Sequence, residues 1–244
     1  MSVLRSSSPA ALVPDASFPF GLGRSGLHEL SEARYGDFPA LTGLALAALR
    51  DAARPGACLW VTQRSLTAEH GRMSGRGLAR AGVNPGRLLL VEAATRMDAL
   101  KAVEEGARDG RLAGVIAELD DMDFTAARRL VLASQDSQTP LILLFPHTRS
   151  GATAAHGRWR VSARLSQSHN ADPRAPGRPA WRAELEKSRL QPGEAGRIFD
   201  LEFRDEAPCL RLVPGLATRS SAPQPRRGAS IRPGNAVIPW RRAG

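Results

Sequence analysis

A site that grips a nucleoside triphosphate needs backbone amides from a glycine-rich turn, a lysine for the β- and γ-phosphates, and a hydroxyl for magnesium. The stretch GLHELSEARYGDFPALTGLALAALRDA, Gly26 to Ala52, offers the frame for such a site. It reads as a short strand, a turn and an amphipathic helix. The turn itself, SEARYGDFPALTG, contains no G-K-[ST], and the first lysine in the chain is Lys101, two strands too late. Glu32 and Asp37 put negative charge where phosphate would sit, and repulsion at a partly desolvated site is costly. These residues argue against nucleotide hydrolysis and against any bound nucleotide cofactor.

Other catalytic patterns fare no better. GLGRSG (Gly21 to Gly26) matches G-x-G-x-x-G, but that fingerprint must follow a strand and open a helix. Here it follows SFPF and runs into LHEL, so it reads as an entry loop. ELDDMD (Glu118 to Asp123) gathers four acids at a strand end, where acids often hold magnesium in nucleotide sites. Without a phosphate loop the metal lacks its main partner, and a solvated loop or helix cap is the simpler reading. His28, His70, His147, His156 and His169 show no H-E-x-x-H spacing, and no G-x-S-x-G elbow occurs. The expectation is a protein with no catalytic, metal or cofactor residues.

Binding is the chemistry left. HTRSGATAAHGRWRVSAR (His147 to Arg164) sets Arg149, Arg158, Arg160 and Arg164 around Trp159. Arginine beside an aromatic suits phosphate contact and base stacking. The competing reading is a strand edge with incidental arginines and a core tryptophan. At the other end, Arg226, Arg227 and NAVIPWRRAG, with Trp240, Arg241 and Arg242, form an apolar, aromatic and basic terminus. Such segments dock into a partner groove and order on binding; the alternative is an inert tail.

Several elements must position these residues. Leu27 to Leu30 reads as a strand. Leu41, Leu44, Ala45, Ala48, Leu49 and Ala52 form one helical face, which Arg54-Pro55-Gly56 stops. ACLWVT, LLLVEA, GVIAEL and PLILLF are strands, alternating with helices over SGRGLAR, the segment after Thr95, and FTAARRLVLASQ. Thr95 and Asp98 provide the cap and acidic partner of the second of these helices, and Met97, Leu100, Val103 and Ala107 its apolar stripe. This alternation predicts an α/β domain with a mostly parallel sheet flanked by helices. After Phe145, RWRVSARLSQ and the pair within GRIFDLEFRDEAPCLRLV read as strands that extend the sheet in antiparallel fashion. The expected division is a flexible leader over 1–17, a domain over 18–216 and a disordered Pro/Arg-rich tail over 217–244.

Composition bounds the partners. The 244 residues carry a net charge of +10 and a pI near 11.2, which points to acidic partners such as nucleic acid. Cations are almost all arginine, and the tail beyond Ala217 carries six of them with no acid, so much of the excess lies off the fold. Cys58 and Cys209 sit in apolar, strand-like contexts and read as two thiols rather than a disulfide framework. Neither a secretory signal nor an apolar run of about 18 residues is present, so a cytoplasmic protein with no membrane partner is expected.

Six segments, GLHEL, ACLWVTQ, RAGVNPGRLLLVEA, TRMDALKAVEEGARDGRLAGVIAEL, FTAARRLVLASQDSQTPLILLFPH and GRWRVSAR, run in the order found in the core of the recombinase RecA. In detail the chain more closely resembles a degenerate branch, the ImuA family of mutagenesis accessory proteins, sometimes labelled SulA-like. The resemblance covers Phe20 to Pro214. It implies a RecA-like fold and a non-catalytic role in error-prone translesion synthesis induced by DNA damage. The implied partners are an inactive Y-family polymerase homologue (ImuB-like) and an error-prone C-family DNA polymerase, with RecA and DNA as further candidates. The implied location is cytoplasmic, on the nucleoid when active. The phosphate-binding lysine of RecA and its following hydroxyl are missing from the turn near Ala33 to Leu41, and Gln63 lies closest to the position of its catalytic glutamate. Its DNA-binding loops would fall near Asp120 to Asp123 and Pro146 to Gly157, the first of which is acidic here. The alternative class is a nucleic-acid-binding protein acting through its Arg/Trp segments.

Overall fold

A computed structural model describes residues 18–166, 177–204 and 209–212. The leader over 1–17, and the tail over 217–244 with Arg226, Arg227, Trp240, Arg241 and Arg242, lie outside the described residues. In chain order the elements are β1 (Leu27–Glu32), α1 (Phe38–Ala52), β2 (Cys58–Gln63), α2 (Arg64–His70) and α3 (Gly75–Arg80). Then come β3 (Leu88–Ala93), α4 (Arg96–Arg108), β4 (Gly114–Glu118), α5 (Phe124–Gln135) and β5 (Leu141–Phe145). The chain continues through β6 (Gly157–Ala163), β7 (Ala180–Ser188), β8 (Arg197–Arg204) and β9 (Cys209–Leu212).

Among the described residues the nine strands form one sheet in the order β3-β2-β4-β5-β1-β6-β7-β8-β9. The first six are mutually parallel, and β7 to β9 follow in antiparallel register. β6 therefore departs from the antiparallel expectation. The chain leaves the end of β5 and returns to the start of β6 through residues 146–156. That segment packs Ala154 and Ala155 into the core beneath the sheet. An extended segment of this length reaches roughly 36 Å, ample to recross a strand without a helix. Ala180–Ser188, to which the sequence assigned no element, is the first antiparallel strand.

Side-chain alternation builds two cores. Ile142 and Leu144 of β5 face α1 with Trp60, Ile116 and Val161, whereas Leu141, Leu143 and Phe145 face α4 and α5 with Val61 and Val115. A strand buried on both faces has no polar alternation, which is why LILLF reads so plainly. Helix α1 sets Leu41, Leu44, Ala45 and Ala48 into the first core, all fully buried. Each buried leucine contributes about 2 kcal/mol of apolar transfer energy. Helix α4 is capped as expected: Thr95 Oγ1 accepts from the Asp98 amide at 3.2 Å. Gly106 of α4 lies against Leu59 and Val115, where a Cβ would collide, so the helix can approach the sheet closely. Met97, by contrast, is 58% exposed, lining a groove with residues of α5 rather than packing on the sheet.

Among the described residues no helix is long and apolar enough to cross a membrane. Cys58 is a half-buried free thiol whose pKa burial pushes up to about 12. The side chain of Cys209 lies outside the described residues.

Candidate functional site

In open α/β sheets ligands bind beyond the carboxyl ends of the parallel strands. Here those ends are Glu32, Gln63, Glu118 and Phe145, brought side by side by the order β2-β4-β5-β1.

The turn from β1 to α1 is only five residues, 33–37. The Asp37 amide donates to the Arg34 carbonyl at 3.1 Å, and Gly36 takes φ +97°, a conformation that favours glycine. So tight a turn leaves no loop to wrap a phosphate. The amino end of α1, the natural place for an anion, is filled by the chain itself. Asp37 is buried there, accepting from the Ala163 amide at 3.3 Å and lying 3.6 Å from Arg34. Pro39 removes one of the free amides that a phosphate would use. The Phe38 ring stacks on His70, centroids 4.0 Å apart and planes 9° apart.

The acids of neighbouring strands are each committed to protein partners. Gln63 Oε1 accepts from the Asp120 amide at 2.7 Å, tying β2 to the end of β4. Asp120 receives Arg96 through two hydrogen bonds of 2.6 and 2.8 Å, and this pairing holds its carboxyl below the usual range. Asp121 pairs with Arg149 at 3.2 Å, and Asp123 caps α5 through the Ala126 amide at 2.7 Å. Glu118 accepts from Thr62 at 2.7 Å and Trp60 at 3.2 Å; burial raises its pKa, and these two donors oppose the rise. Among the described residues no group of three His, Cys, Asp or Glu side chains could hold a metal ion.

Candidate contact residues of the Arg/Trp segment are engaged by the protein itself. Arg149 is 6% exposed and donates to Glu29, 3.3 Å away. Arg158 grips the other oxygen of Glu29 with bonds of 3.0 and 2.9 Å, and Thr153 donates to Glu29 at 2.5 Å. Arg160 pairs with Glu186 at 2.8 Å and donates to the carbonyls of Glu32 and His147. Trp159 is 1% exposed, between Phe20 and Phe199 with centroids 6.2 and 6.0 Å away. It is a core residue and presents no face on which a base could stack. The strand period explains this: on β6, Gly157, Trp159 and Val161 point inward while Arg158 and Arg160 point the opposite way.

Glu29 is an organising acid that the sequence reading missed, and Glu118 is one that it took for part of a solvated loop or helix cap. Their only advance signal is a carboxylate inside an otherwise apolar strand, in LHEL and VIAEL. Such a residue must find a partner when buried. His147 also belongs to this edge: its Nδ1 lies 3.2 Å from Glu32 Oε1, and the exposed Tyr35 ring meets it edge-on at 6.0 Å. Between the 120–124 and 148–152 segments lies an open polar cleft of about 460 Å³. Asp121 and Arg149 bridge its floor.

Protein ImuA of Caulobacter vibrioides, in each of two strains, is 30% identical to this chain over 229 residues. The match covers 85% of this chain and 88% of that protein. Among solved structures, a RadB recombinase covers 78% of this chain with 92% of its own, at 14% identity and a TM-score of 0.50, a likeness of fold. SulA from Pseudomonas aeruginosa aligns over 49% of this chain and 97% of its own, at 26% identity and a TM-score of 0.39. No protein-family model matches the chain.

Proposed function

We infer function from one premise: the chain belongs to the ImuA family, with a RecA-like sheet at its centre. On that premise the protein is an accessory factor of damage-induced mutagenesis. It acts by protein contact and not by nucleotide turnover. The observation that carries this reading is the β1–α1 turn. A five-residue connection, closed by Asp37 and covered by the Phe38–His70 stack, stands where a triphosphate-binding loop would have to be. Its contacts in translesion synthesis are an ImuB-like inactive Y-family polymerase homologue, an error-prone C-family polymerase and RecA.

Direct nucleic-acid binding through Arg149, Arg158, Trp159 and Arg160 draws no support from their placement. Three are ion-paired and the fourth is in the core. Co-purification of the full chain with the polymerase homologue tests the reading. Retention that survives nuclease treatment and moderate salt is expected. Retention lost on nuclease treatment would instead mean that nucleic acid bridges the two.

A further inference from the structure

β3 closes one end of the sheet and, among the described residues, pairs only with β2. Its outer side therefore carries the unpaired amides and carbonyls of an edge strand. Natural edges are commonly guarded by lysine, proline or a bulge. Leu88–Ala93 has none of these and keeps an unbroken register with β2. Leu89, Leu90 and Val91 are 52%, 58% and 37% exposed. Leu90 lies on the face of Trp60, and Leu89 and Val91 on the face of α4. Three consecutive apolar residues on an open edge mark an interaction surface or an aggregation hazard.

Two further features give the edge a specificity. Beside Leu90 is a cavity of about 60 Å³ walled by Trp60 and Met73, with Thr62 and Glu118 lining it. The chain flanking the edge strand is cationic, and Arg72 lines the cavity itself. Residues 64–96 hold six arginines against two glutamates. Arg76, Arg80 and Arg87 are exposed, and Arg64 and Arg72 share the single carboxylate of Glu92 at 3.5 and 3.3 Å.

We propose that the β3 edge docks an extended segment of a partner protein, with an acid two residues from an apolar residue and so on the same face, as an added strand. Main-chain hydrogen bonds supply affinity, and the period of two sends an apolar side chain to the cavity beside Leu90 and an acid two residues on to the same face, where Arg64 and Arg72 meet at Glu92. Charge selects this occupant over two others. A second copy would bring the same arginines face to face. The chain's own terminal stretch over 217–244 carries six arginines and no acid. The edge stands on its own geometry, independent of the fate of the nucleotide site.

Selection of displayed random peptides on the immobilised full-length chain tests the proposal. Enriched sequences should carry an apolar and an acidic residue two positions apart, and a synthetic enriched peptide should slow amide exchange over Leu88–Ala93. Leu90→Asp, at an exposed position, should weaken that peptide at least tenfold with an unchanged unfolding midpoint. Arg87→Glu should weaken it severalfold by charge alone, which keeps the test decisive should Leu90→Asp disturb the fold. Absence of enrichment, neutral or basic winners, or binding indifferent to both substitutions overturns the proposal. So does protection of β3 in the peptide-free protein that rises with protein concentration or vanishes on removal of 213–244, since a second copy or the tail would then be the occupant.

Discussion

Arg149 and Glu29 form a buried ion pair across the sheet: Nη2 lies 3.3 Å from Oε1, with side chains 3% and 0% exposed. Arg158 holds the other carboxylate oxygen and Thr153 donates to the first, so one anion on β1 ties down Arg149, Thr153 and Arg158. Glu29→Ala would leave two guanidinium groups facing each other with their shared anion gone. Breaking a buried pair this way costs about 3–5 kcal/mol. Arg149→Ala leaves Glu29 with Arg158 and Thr153, so its loss should be smaller. Denaturant unfolding of both variants checks this order; equal losses would contradict the anchoring role of Glu29.

Trp159 should behave as a core residue. Trp159→Ala removes the ring packed between Phe20 and Phe199 and should cost about 3–5 kcal/mol. At a temperature where the variant remains folded, any DNA affinity should match that of the parent chain. A stable variant with selectively weakened DNA binding would restore Trp159 as a contact residue.

The sequence made some of this legible and hid the rest for physical reasons. LILLF and CLWV announce themselves because a central parallel strand is apolar on both faces, and Thr95 with Asp98 marks a helix start through local hydrogen bonding alone. The period of two along GRWRVSA already separates Trp159 from Arg158 and Arg160. Composition had suggested grouping them, and the pleat divides them. Strand direction is different. Alternation fixes which side chains face inward but not which way the chain runs, so the parallel course of β6 was not readable. By contrast, β7 carries a period of two, Trp181, Ala183 and Leu185 against Arg182 and Glu184, that the sequence reading left unassigned. The partners of Glu29 lie 120 to 129 residues away, beyond any local pattern. Met97 fits its helical stripe by spacing, yet it lies in the groove between α4 and α5 rather than over the sheet.

His28 should make the fold acid-sensitive. Burial, then the neighbouring His156, lowers its pKa to about 3 from 6.5, against a hydrogen bond to the Ser25 carbonyl that works the other way. The unfolded chain then takes up a proton near pH 6.5 that the folded chain refuses until about pH 3. Stability from the neutral ring is complete above the unfolded value and is lost as pH falls through that window. At about 1.4 kcal/mol per unit, the loss attributable to His28 is about 2 kcal/mol at pH 5. Unfolding midpoints measured from pH 7 to 4 should show this slope, and His28→Gln should flatten it. An unchanged slope in the variant would assign the effect to other groups.

The closed β1–α1 turn is tested most directly by titrating the purified full-length chain with fluorescent ATP and magnesium while phosphate release is followed. The account predicts no saturable binding in the micromolar range and no release above the protein-free rate. Saturable micromolar binding with turnover, abolished by a substitution between Ser31 and Thr42, would contradict it.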